Sequence, residues 1–176
     1  MSHDPVAMKV GFFGKIPLRG DFVQARLSRR FVHAWDDWLQ AVLPAAAREF
    51  DDWEVAWQSA PAWRFRLPAG QCGPEPVVGV WMPSMDRAGR RFPLVIAAEN
   101  AEADMAFLDA ADAVGHMAIG AGLTPEMLMA ALDEIVRPAS GQSTDQVSGA
   151  RWWCGTGSLV LDAMPGAKDF ARMVRP

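Results

Sequence analysis

Trp63-Arg64-Phe65-Arg66-Leu67, taken with Val77-Val78-Gly79-Val80-Trp81-Met82 and the run from Arg91 to Ala98, decides the fold. The first segment alternates apolar and cationic residues, the period-two signature of a half-buried strand, with Arg64 and Arg66 expected on its wet face. The second is a short apolar run that reads as a buried strand, and the third reads as another. Pro68 to Pro76 is a loop rich in glycine and proline, and Pro83 to Arg90 is a wide hairpin loop. Three strands in succession joined by modest loops predict an antiparallel meander.

Working outward, Met8 to Phe13 is a short, glycine-ended apolar segment that predicts a first strand. Ser28 is placed to cap a helix from Arg29 to about Leu43, with Phe31, Trp35, Trp38, Leu39 and Val42 on one face and Asp36 and Asp37 on a solvated one. Pro44 is expected to kink this helix or divide it from a second segment reaching Phe50. Asp51 to Gln58 predicts a short helix, and Ala103 to Gly120 another with Phe107, Leu108, Ala111, Val114 and Ala118 inward. Thr124-Pro125-Glu126 is a helix start, with proline at the first helical position and an acid in the first turn, and that helix should reach Val136. Ala139 to Gly149 reads as a polar loop. Arg151 to Cys154 and Ser158 to Leu161 predict a hairpin around Gly155-Thr156-Gly157, and Ala167 to Val174 a closing helix. The order is α+β, an antiparallel sheet flanked by helices.

At 176 residues, with 51% apolar and 22% charged residues, the chain fits one domain with a single substantial core. No apolar run approaches the roughly 20 residues that span a bilayer, and the N-terminal residues lack a signal-peptide core. Two cysteines, Cys72 and Cys154, make neither a disulfide framework nor a zinc site, which together with the missing signal core predicts a cytoplasmic protein. The net charge of −4 hides an asymmetry. Lys9, Lys15, Arg19, Arg26, Arg29 and Arg30 crowd the N-terminal segment, whereas the stretch from Leu94 to Val136 holds only acids among its strong charges. A basic and an acidic region are therefore expected, suited to a charged protein partner and not to general nucleic-acid binding. Most of the eight tryptophans are expected in the core, with one or two exposed as interface anchors.

Two stretches carry more special residues than packing requires. Gly11-Phe12-Phe13-Gly14-Lys15-Ile16-Pro17-Leu18-Arg19-Gly20-Asp21-Phe22 holds three glycines, a proline and three phenylalanines, so a strand is expected to run into a shaped loop. Its glycine spacing is wrong for a phosphate-cradling P-loop, and Ile16-Pro17 stands where that loop needs a hydroxyl residue. His3, His33 and His116 are scattered, so no nucleophile–base pair, metal cluster or cofactor motif is legible and no enzymatic reaction is implied. The second stretch, Met82 to Leu94, contains Asp86-Arg87-Ala88-Gly89-Arg90-Arg91. Arginine forks bind carboxylate or phosphate in two-pronged fashion. Asp86 is expected either to pair with one of these arginines, or with Arg19, and so rigidify both loops, or to leave them for an acidic or phosphorylated partner. The candidate partner-binding residues are Lys15, Arg19, Asp21, Ser84, Asp86, Arg87, Arg90 and Arg91.

These stretches resemble the TagF family of type VI secretion-associated proteins. The matching residues are Gly11-Phe12-Phe13-Gly14-Lys15, Pro17, Gly20-Asp21-Phe22, Trp35-Asp36, Trp38-Leu39, Pro61, Trp63-Arg64-Phe65, Gly73, Gly79-Val80, Met82-Pro83-Ser84, Asp86-Arg87, Gly89-Arg90 and Phe92-Pro93-Leu94, with Trp152-Trp153 a weaker echo. Met85 and Ala88 depart from the pattern, which often has valine there. The resemblance implies a longin- or profilin-like domain over residues 8–176, after a disordered tail at 1–7. It implies a non-catalytic cytoplasmic repressor of type VI secretion that engages the forkhead-associated (FHA) domain scaffold protein. A link to a separate Ser/Thr phosphatase and kinase would follow, because the chain has no room for a phosphatase domain. The alternative is a longin-like structural adaptor at the secretion baseplate or the membrane, acting through a tryptophan-rich face.

Overall fold

A computed structural model describes residues 8–139 and 149–176; the predicted tail and most of the predicted polar loop lie outside them. Among the described residues seven strands form one antiparallel sheet: β1 (Lys9–Gly14), β2 (Val23–Ala25), β3 (Trp63–Leu67), β4 (Val77–Met82), β5 (Leu94–Glu99), β6 (Ala150–Cys154) and β7 (Gly157–Leu161). Their spatial order is β2-β1-β5-β4-β3-β6-β7. The predicted meander is present as β3-β4-β5, although the third strand begins at Leu94 and not at Arg91. Arg91 instead sits in an isolated bridge with Met85, because the intervening Phe92 and Pro93 belong to the shaped loop.

Helices cover both faces. On one, α1 (Arg29–Ala47), α2 (Trp53–Ser59) and α5 (Ala167–Val174) close a core of Phe31, Trp35, Trp57, Trp63, Phe65, Trp81, Trp152 and Phe170. On the other, α3 (Met105–Gly120) and α4 (Pro125–Glu134) pack against Phe12, Val78, Val80, Met82 and Ile96. Successive side chains of a strand point to opposite faces, so the continuous apolar runs of β4 and β5 serve both cores at once. All six residues of each of these strands are buried.

Ser28 caps α1 as its sequence position suggested: its hydroxyl accepts from the Phe31 N–H. The cap is itself held by the buried Glu99 carboxylate, which accepts from the Ser28 backbone N–H at 2.6 Å and from its hydroxyl. Pro44 neither divides nor ends α1, which continues to Ala47. Its place in the last turn means that only one intrahelical bond near the frayed end is lost.

Two charge expectations change. Arg64 does not face open water, because α3 lies over that side of β3 and returns Asp109 at 2.6 Å and Asp112 at 3.4 Å to it. The basic and acidic segments do not form separate poles either. Arg26 grips Asp133 with both terminal guanidinium nitrogens, Arg19 lies 3.7 Å from Glu126, and β2 packs beside α4. Much of the sequence asymmetry is cancelled inside the molecule.

Cys72 is buried, and its thiol is pushed up to about 12 by burial and then by the nearby Glu99 charge. Only the thiolate reacts readily, so at neutral pH an alkylating reagent should modify the half-buried Cys154 and leave Cys72 until denaturant is added. Mass spectrometry of the labelled chain checks this; early labelling of Cys72 would contradict the burial.

Candidate functional site: two loops locked at one end of the sheet

The strand β1 delivers its chain into the first loop, Lys15 to Phe22, and β2 brings it back antiparallel, with Gly14 opposite Val23. Gly11 to Gly14, whose spacing already spoke against a phosphate cradle, lie in β1 itself, paired with β5 on one side and, from Phe12 on, with β2 on the other. The second loop, Pro83 to Pro93, extends the β4–β5 hairpin. It folds on itself through Asp86 N–H to Arg90 O at 3.0 Å, Gly89 N–H to Asp86 O at 2.9 Å and Phe92 N–H to Ser84 O at 3.2 Å.

Asp86 is the centre of the arrangement, 2% exposed. Its carboxylate accepts from the Ala88 and Arg90 backbone N–H groups, both at 2.9 Å, from Arg90 Nε at 2.7 Å and from Lys15 Nζ at 3.0 Å. Burial disfavours the charged carboxylate, but the hydrogen bonds from Lys15 and Arg90, with the Lys15 charge, overcome it and hold Asp86 well below the usual carboxylate range. Around this centre the loops are bonded directly. Ser84 Oγ donates to Lys15 O at 2.7 Å, the Arg87 N–H to Arg19 O at 2.8 Å, Arg87 Nη2 to Leu18 O at 2.6 Å and Arg90 Nη2 to Gly20 O at 2.6 Å. Trp57 of α2 anchors the set from below by donating to Ser84 O at 3.0 Å.

The expected pairing of Asp86 with a loop arginine is therefore present, through Arg90, and Lys15 joins it. Lys15, Ser84 and Asp86 lie beneath the surface, where their polar atoms hold the loops together. Arg91 turns away to Glu54 of α2 at 3.1 Å. Arg19, Asp21, Arg87 and Arg90 remain exposed. Sequence reasoning missed Phe22 as a site residue. It is 44% exposed, yet it stacks on Phe13 at 5.5 Å, meets Phe92 edge-on at 4.8 Å and sits 5.1 Å from Lys15 Nζ. Its place in a loop among three glycines was the available signal, since an aromatic there has no strand to bury it. Phe22 separates two open clefts. One, of about 690 Å³, is lined by Arg19, Asp21, Arg87 and Glu126 among others; the second, of about 410 Å³, lies over Arg29, Val32 and His33 of α1.

Five tryptophans, Trp35, Trp57, Trp63, Trp81 and Trp152, are fully buried, and Trp38, Trp53 and Trp153 are half-buried. No helix among the described residues is long and apolar enough to cross a membrane, and no group of three or more His, Cys, Asp or Glu among them could hold a metal ion.

A single antiparallel sheet with helices on both faces and a locked pair of loops at one end defines a mixed α+β domain. The family model described as the TagF N-terminal domain, type VI secretion system-associated, matches residues 11–139, and the chain belongs to that family. Both loops and the whole lock fall inside the matched stretch; β6, β7 and α5 fall outside it. The crystal structure of PA0076 from Pseudomonas aeruginosa PAO1 is similar at 27% identity with a TM-score of 0.80, over 94% of this chain and 93% of that one. No curated protein matches the sequence.

Proposed function

We propose that this chain is a non-catalytic, cytoplasmic regulator that restrains type VI secretion by holding another protein of the system, the FHA-domain scaffold, against its two-loop end. Membership of a type VI secretion-associated family supports the setting. The observation that carries the binding role is the lock. Asp86 accepts four hydrogen bonds, and these fix the backbones of both loops in one shape. Rigid loops bind with a smaller loss of conformational entropy than mobile ones. The lock leaves Arg19, Asp21, Phe22 and Arg87 on its outer side, a charged and aromatic set of the kind that anchors protein interfaces. The layered α+β architecture is compatible with the longin- or profilin-like class.

The adaptor reading loses the feature that motivated it, since the tryptophans form core and not a face. Arg19→Glu/Asp21→Lys reverses two exposed charges and, among the described residues, touches the fold through the loose side-chain contact between Arg19 and Glu126. Pull-down of the FHA scaffold by this variant is expected to fall at least tenfold. Capture at wild-type strength by a folded double variant would exclude this surface. In cells, deletion of the gene is expected to raise secretion, and unchanged secretion would remove the repressor role.

A further inference from the structure

The two ends of the sheet are finished differently. At one, β2 has only three residues and α4 packs beside it. At the other, β7 runs for five residues, Gly157-Ser158-Leu159-Val160-Leu161, with no charge, proline or bulge. Edge strands are ordinarily blunted by such devices, because their unpaired backbone groups invite another strand. The two-residue turn Gly155-Thr156 closes the hairpin on the pair Cys154 and Gly157. In an antiparallel ladder hydrogen-bonded pairs alternate, so Trp152 with Leu159 and Ala150 with Leu161 also bond across the hairpin. The N–H and C=O groups of Ser158 and Val160 therefore point outward from the sheet, where the strand order places no neighbour among the described residues. Val160, at 66% exposure, is the most exposed of the large hydrophobic side chains described.

We propose that β7 is a self-pairing edge, joining two copies of this chain antiparallel about Leu159 into one continuous sheet. The strand is its own complement in that register. Ser158 of each copy lies opposite Val160 of the other, and each such pair exchanges two hydrogen bonds, which uses all the outward backbone groups of both residues. The two Leu159 side chains meet on the face that continues the tryptophan-rich core, against which Leu159 already packs. Leu161 lies opposite Gly157, which has no side chain of its own, so this bulky residue faces the emptiest position. Asp162 falls beside the partner's turn and not beside the other Asp162, as it would in a parallel pairing. No like charges oppose one another along the strand. One short strand pair buries less area than a standard interface, so the dimer is weak, with a dissociation constant in the micromolar to millimolar range. The proposal does not depend on the partner-binding reading, because β7 lies outside both loops.

Sedimentation equilibrium of the whole chain tests it. The weight-average mass is expected to rise with concentration from 19.2 kDa toward twice that value. Val160→Pro deletes an outward N–H that the hairpin does not use, a position where edge strands accept proline. This variant is expected to stay monomeric at every concentration with its circular dichroism unchanged. Should the proline variant fold poorly, Val160→Lys keeps the backbone and is expected to weaken association at least tenfold. Exchange of the Ser158 and Val160 amides should slow as the wild-type concentration rises. A wild-type chain that stays monomeric throughout overturns the proposal, as does a dimer indifferent to both substitutions. Amides protected equally at all concentrations also overturn it, because the edge would then be covered within one chain.

Discussion

Gly14→Ala is expected to destabilise the protein by about 3 kcal/mol or more, in the range where one substitution dominates total stability. Two independent costs meet at this residue. Its φ of +136° lies in a region that residues with a Cβ rarely adopt. A Cβ placed there would also stand 2.1 Å from the Pro93 carbonyl oxygen and 3.0 Å from Leu94 Cα, both backbone atoms at the start of the paired strand β5. Flexible side chains can yield to such a contact, but here relief requires β1 to move off β5 at the end where the two loops begin. Gly11 has a similar crowding, with Ala25 O at 2.0 Å, and no positive φ, so the same substitution there should cost less. Gly20, in the middle of the first loop, has nothing within 4 Å of its Cβ position. Gly20→Ala is the control and should change stability by under about 0.5 kcal/mol. Urea unfolding followed by tryptophan fluorescence measures all three; equal midpoints for Gly14→Ala and Gly20→Ala would refute the argument.

The same contrast explains what could be read from sequence. β3 and α1 were legible because burial of one face imposes a period on their residues, and β4 and β5 because burial on both faces leaves short continuous apolar runs. The hairpin β6–β7 was legible from its turn chemistry. β2 was not, because three residues are too few to show an alternation, and only its pairing with β1 makes it a strand. The face of β3 was misread for a related reason: alternation shows that Arg64 leaves the tryptophan core, but not that α3 covers it with Asp109 and Asp112. At the loops, residue types were informative and directions were not. Arginine and aspartate in one loop suggested pairing. Which cations turn inward depends on the distance between two segments some seventy residues apart, as with Lys15 and Asp86. Lys15 sits between the buried Gly14 and Ile16, and this apolar setting was its one sign of burial.

Asp86→Ala is expected to cost about 3 kcal/mol, the lower end of the range for breaking a buried ion pair, because the lock lies just under the surface. The loss is larger than that of any single bond. Removal of the carboxylate leaves the Lys15 ammonium enclosed without its partner and strands the Ala88 and Arg90 N–H groups. The reverse change is milder. Lys15→Met leaves Asp86 with Arg90 and two backbone donors and replaces the ammonium by an apolar group of similar length, so about 1 kcal/mol is expected. This asymmetry distinguishes a lock built around the acid from a simple salt bridge, in which both deletions would cost alike. Acid supplies a second test. Because folding depresses the Asp86 pKa, its stabilising contribution is fully present above the unfolded-state value, about 3.9. That contribution is lost as pH falls from there through the still lower folded value. The stability gap between wild type and Asp86→Ala should therefore be constant from neutral pH down to about pH 5 and close only below about pH 4. A gap that narrows near pH 6 would mean that another group governs the loops. Loss of the lock should also loosen Arg19, Phe22 and Arg87 together, since Arg87 and Arg90 hold the first loop through its carbonyls. The scaffold binding proposed above, measured on Asp86→Ala while it remains folded, should then weaken, although Asp86 itself is buried beneath the loop surface.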